Sequence, residues 1–121
     1  MTTGAKGAAA FESAMTLADF LLPAENIQLM SDEAVSLGEK KYRVIATDMR
    51  LILYSRRGLL LKSDDIISKK LGSISSLQYS EKGFLFGKAT ISIIADSRLD
   101  LHGSPGSMKP LYQLLQTVIK R

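Results

Sequence analysis

The residues with most chemical promise are basic. Lys40, Lys41 and Arg43 surround one short turn in "LGEKKYR", Arg56 and Arg57 close a later apolar run, and Lys69 and Lys70 follow. A guanidinium fork meets phosphate or carboxylate oxygens bidentately and an ammonium adds a point charge, so the chemistry these side chains suit is anion binding. Next to an anionic lipid surface each such cation is worth about 1 kcal/mol. The chain carries 16 Lys and Arg against 12 Asp and Glu, a net charge of +4, with both signs interspersed. That excess permits contact with phosphates or anionic lipid without demanding it.

Catalytic chemistry has less to work with. His102 is the sole histidine and there is no cysteine, so thiolate nucleophiles, disulfides, and metal sites built on two imidazoles or on thiolates are excluded. Asp100 and Ser104 lie close to His102 in sequence. A nucleophile, its base and an orienting group need a spatial assembly that near neighbours on one strand do not supply, so His102 is expected at a strand end. Asp64 and Asp65 read as the polar start of a strand, and no phosphate-cradling glycine loop is present. No catalytic residue, metal ligand or cofactor is expected.

Two further stretches stand out. In "ATDMR", Thr47 and Asp48 suit a turn because their side chains bond nearby backbone, and Arg50 is placed to reach back to Asp48. In "GFLFG", Phe84, Leu85 and Phe86 are consecutive, so strand alternation cannot bury all three on one face. Either another layer covers them or they form a contact for a partner chain or membrane surface.

The elements that position these groups follow from periodicity. Residues 1–7 are small and polar and predict a frayed tail. Over 8–24, Phe11, Ala14, Met15, Leu17, Ala18, Leu21 and Leu22 recur at helical spacing until Pro23, which predicts an amphipathic helix. Its polar side carries Glu12 and Asp19 rather than Lys or Arg, which favours packing on protein over lying on a membrane. From Asn26 the period is that of strands. "NIQLMSDEAVSL" predicts one bent or broken strand, followed by "KYRVIAT", "RLILYSRR", "DDIISKKL", "SISSLQYS", "KATISIIA" and "RLDLH" with short spacers. Strands at such intervals without helices between them imply an antiparallel meander. In a simple meander the Lys41 and Arg43 end of one strand and the Arg56 and Arg57 end of the next are expected on opposite edges. After "HGSPGS", Ser107 is the expected cap of a helix whose stripe is Met108, Leu111, Leu114, Leu115, Val118 and Ile119. Glu12 and Asp19 interrupt any signal-peptide core, and no run approaches the roughly 20 apolar residues of a membrane span. A cytoplasmic protein is expected.

The order of these residues resembles the prokaryotic pleckstrin-homology-like family of short cytoplasmic domains. The resemblance rests on Ala46, Thr47, Asp48, Arg50, Leu51, Ile52 and Tyr54, then Ile74, Ser76, Leu77, Tyr79, Gly83 and Gly87, then Ile91 and Ile93, and covers roughly 25–120. It implies a mainly β domain over 25–121, with about seven strands in two nearly orthogonal antiparallel sheets capped by the C-terminal helix. Lys41-Tyr42-Arg43 is similar to the K-x-R that holds an inositol phosphate in eukaryotic relatives, but the first strand offers Gln28 and Met30 where those have Lys. The expected function is a non-catalytic module working through protein contacts, self-assembling into a homo-oligomer by strand edges or by Phe84, Leu85 and Phe86. The alternative is peripheral binding to anionic lipid through Lys40, Lys41, Arg43, Arg56 and Arg57. Nucleic acid is disfavoured, because only Tyr42 and Tyr54 offer stacking surfaces in the basic region.

Overall fold

The computed structural model describes residues 17–57, 63–83 and 87–119, with the side chains of residues 56, 57, 63 and 64 excepted. The strands are β1 (Ile27–Met30), β2 (Val35–Leu37), β3 (Lys40–Thr47), β4 (Arg50–Arg57), β5 (Ser63–Lys70), β6 (Ser76–Lys82), β7 (Lys88–Ile94) and β8 (Arg98–Gly103). One helix, α1 (Pro105–Ile119), follows them. Every pairing is antiparallel, in the order β5-β4-β3-β2-β8-β7-β6, with β1 also on β3.

The expected seven strands become eight because the first is broken. β1 faces the second half of β3, from Ile45 to Thr47, and β2 faces its first half, from Lys40 to Tyr42. Between them Ser31 replaces a ladder partner with its hydroxyl, accepting from Val44 N at 3.0 Å and donating to Glu33 O at 2.9 Å. The chain can therefore leave the sheet without stranding a buried amide.

Alternation places Tyr42, Val44 and Ala46 of β3 and Leu51 and Leu53 of β4 on one face, against Ala89, Ile91 and Ile93 of β7 and Leu101 of β8. Met108, Leu111 and Leu115 of α1 join this core at helical spacing. Leu114, expected in the same stripe, is half exposed because a turn of 3.6 residues carries it beyond the buried arc. The helix begins at Pro105 rather than after Ser107. Ser104 O accepts from Ser107 N and Met108 N, and proline suits the first helical position because its missing N–H would have had no partner there.

Ile45, Ile52 and Tyr54 point to the other face, so this part of the sheet is buried on both sides, as the nearly unbroken apolar runs of β3 and β4 require. Leu17, at 1% exposure, packs against them with Leu21, Met30 and Ile66 alongside. Most of the helix expected over 8–24 lies outside the described residues. Within them a 3-10 turn, Ala18–Phe20, gives way to extended backbone at Leu21. Pro23 disfavours helical backbone at the residue before it, and Ala24 takes φ 67°, so the helical segment stops short of its expected end.

Candidate functional site

The "ATDMR" turn is a buried polar node, and its central partner is one the sequence did not announce. Arg50 turns to Glu25, not to Asp48. Its Nε donates to Oε2 at 2.9 Å and its Nη2 to Oε1 at 3.1 Å, while the same Nη2 bonds Phe20 O. Thr47 Oγ1 donates to Glu25 Oε2 at 2.7 Å and accepts from Met49 N and Arg50 N, and Leu22 N donates to Oε1. Asp48 instead accepts from Asn26 N. The Glu25 side chain is fully buried and Arg50 is 18% exposed. The guanidinium beside it is the chief reason the Glu25 carboxyl is held down to about 2, against the upward push of burial. With its acceptors committed inside the fold, this node fastens the N-terminal segment to the β3–β4 turn. Around it stand the exposed side chains of Phe20, Leu22, Ile27 and Met49. Their segments meet at the node, because Ile27 pairs with Thr47 and Met49 N bonds Thr47 Oγ1.

The basic strand ends meet, contrary to the expectation of opposite edges. β3 and β4 are antiparallel neighbours with Arg43 opposite Tyr54, so the start of β3 and the end of β4 lie at one end of the pair. Acidic residues come with them. Lys40 Nζ bonds Asp65 Oδ2 at 2.8 Å, and in the β4–β5 register Arg56 stands opposite Asp64 and Arg57 opposite Ser63. Arg43 Nη1 donates to Ser31 O, and Lys41 is exposed. Further along, Lys69 pairs with Asp96. The acidic start of β5, read from sequence as strand polarity alone, thus stands opposite the basic end of β4 in the strand register.

His102 lies within β8, with Nδ1 2.9 Å from Thr90 Oγ1. Asp100 accepts from Ser92 and from Arg98, which hold its carboxyl below the usual carboxylate range. No group of residues able to hold a metal ion occurs among the described residues. No described helix is long and apolar enough to cross a membrane.

Phe84, Leu85 and Phe86 fall outside the described residues. The strands they connect run in register to Lys82 opposite Lys88. Beside that connection lies a further edge: β6 pairs only with β7 among the described strands, and it carries no charge from Ser76 to Ser80, with Glu81 and Lys82 at its end. The opposite edge, β5, carries Asp64, Asp65, Lys69 and Lys70.

No family model matches the sequence, and no curated protein does. Among solved structures, the crystal structure of a pleckstrin homology domain from Shewanella amazonensis matches with a TM-score of 0.68 over 91% of this chain and 97% of that one, at 18% identity. At that identity the likeness is one of fold.

Proposed function

We propose that this chain, which has the pleckstrin homology fold, is a non-catalytic interaction module that acts through protein contacts and assembles with copies of itself along the free edge of β6. The observation that carries this reading is the edge of β6 that is unpaired among the described strands and uncharged from Ser76 to Ser80, with Glu81 and Lys82 only at its end. Unsatisfied backbone donors and acceptors on an edge strand are a template for another strand, and proteins that stay monomeric usually blunt such edges with charge, as β5 does here. Ser76, Gln78 and Ser80 are exposed along β6 and put no charge in the way. Light scattering at high micromolar concentration tests it. A mass that is a multiple of 13.2 kDa, reduced by Ser76→Lys with Gln78→Lys, is expected, and a steady 13.2 kDa for the unmodified chain rejects self-assembly.

A second reading is peripheral attachment to anionic lipid through Lys40, Lys41, Arg43, Arg56 and Arg57. It is favoured by the adjacency of the β3 start and the β4 end, and opposed by Asp64 and Asp65 beside them. Co-sedimentation with vesicles containing phosphatidylserine decides it. Binding should appear at low salt and fade as screening rises, and absence of binding at low salt ends the reading.

A further inference from the structure

The break in the first strand does more than interrupt a ladder. Where β1 and β2 part, they and the first turns of α1 enclose a groove of about 440 Å3. Leu29, Val35 and Leu111 line it together with Ser31, Ser107, Asp32 and Glu33, and Leu114 is half exposed along it. Neither carboxylate has a cation within ion-pair distance among the described residues. In a chain of net charge +4, a groove that is part apolar and part polar and carries these unpaired carboxylates favours an occupant that brings both apolar side chains and positive charge.

This chain holds such a segment. Between β6 and β7 the sequence is "KGFLFGK", an apolar triplet bracketed by Lys82 and Lys88. Both lysines are exposed and neither is in an ion pair among the described residues. We infer that the groove receives the β6–β7 connection of a second copy, with Phe84, Leu85 and Phe86 in the apolar part and Lys82 and Lys88 facing Asp32 and Glu33. The inference rests on the self-assembly reading and gives it a second contact, distinct from the β6 edge. Nucleic acid and anionic lipid are poorer occupants, since both bring negative charge to Asp32 and Glu33.

Gly87, which follows the donor triplet, lies beside the acceptor groove on each copy. A Cβ placed on Gly87 would stand 3.1 Å from Pro105 Cγ, and Pro105 adjoins Ser104 and Gly106, which line the groove. Two copies related by a twofold axis can therefore exchange connections reciprocally, a closed arrangement in which each supplies and receives one.

The test is a fluorescently labelled peptide with the sequence of residues 82–88, titrated into the full chain and followed by anisotropy. Saturable binding is expected, weakened at least tenfold by Asp32→Lys with Glu33→Lys and, separately, by Leu114→Lys. All three positions are exposed, and circular dichroism confirms that each variant is folded. No peptide binding, or equal binding to all variants, overturns the groove assignment. If the chain is then still oligomeric by light scattering, the self-assembly reading stands without it. A chain that stays at 13.2 kDa overturns both, and tighter peptide binding by its Phe84→Ser, Phe86→Ser variant would mean that the connection fills its own groove.

Discussion

Replacing Glu25 by Gln removes a charge and almost no volume, which isolates the electrostatics of the buried node. The carboxylate accepts from Leu22 N at 2.8 Å, Thr47 Oγ1 at 2.7 Å, and Arg50 Nε and Nη2 at 2.9 and 3.1 Å. A glutamine amide must turn its NH2 toward some of these donors, and Arg50 loses its counter-charge at 18% exposure. Hydrogen bonds to charged groups contribute about 1.5–3 kcal/mol. A carboxyl lowered from 4.5 to about 2 independently implies a preference for the ionised form of about 3 kcal/mol. The expected loss at neutral pH is therefore about 3 kcal/mol, or a fall in Tm of roughly 10 °C for a domain of this size. Because the carboxyl titrates lower in the folded chain than in the unfolded one, its contribution is complete above about pH 4.5 and disappears as pH falls toward about 2. Urea melts of both proteins across that range should show a gap that narrows on acidification. A neutral-pH loss below about 1 kcal/mol, or a gap that ignores pH through that window, would refute the assignment.

Other perturbations probe separate parts of the structure. Leu17→Ala should cost about 2–4 kcal/mol in chemical denaturation, since Leu17 is buried against Ile45, Ile52 and Tyr54, and a loss indistinguishable from zero would dissociate the N-terminal segment from that face. Gly103→Ala sets a methyl 2.8 Å from Met108 Sδ, and should lower stability by about 1–3 kcal/mol unless Met108 moves, which Met108→Ala in the same chain would reveal as a smaller combined loss than the sum. Asp65→Asn removes the carboxylate from Lys40, so vesicles containing phosphatidylserine should retain more protein at low salt; unchanged retention would count against a basic lipid-binding surface here.

Much of the architecture was visible as period and punctuation. The strand runs after Asn26 and the closing helix with Met108, Leu111 and Leu115 follow the periods read from the sequence, while burial of Ile45, Ile52 and Tyr54 on the second face of the sheet shows only once Leu17 is packed there. Local rules failed where the partner is remote. Arg50 had Asp48 two residues away but bonds Glu25 across 25 positions, because only the fold brings the N-terminal segment over the turn. The basic ends were separated on paper, since a linear reading places turns in succession whereas antiparallel pairing returns the end of β4 to the start of β3. Leu114 was assigned to the core from an apolar pattern that cannot tell the centre of a helical stripe from its margin. The groove left no trace in the sequence, because it arises from the break in the first strand and from where α1 crosses it.

Backbone amide exchange in β6 at increasing protein concentration addresses self-assembly most directly. Amides of Ser76–Lys82 that point away from β7 have no described partner in the single chain, and pairing with a second copy would supply one. Their protection should rise with concentration, while the charged β5 edge stays unchanged. Protection in β6 that is the same at every concentration, in a particle of 13.2 kDa, would contradict the account.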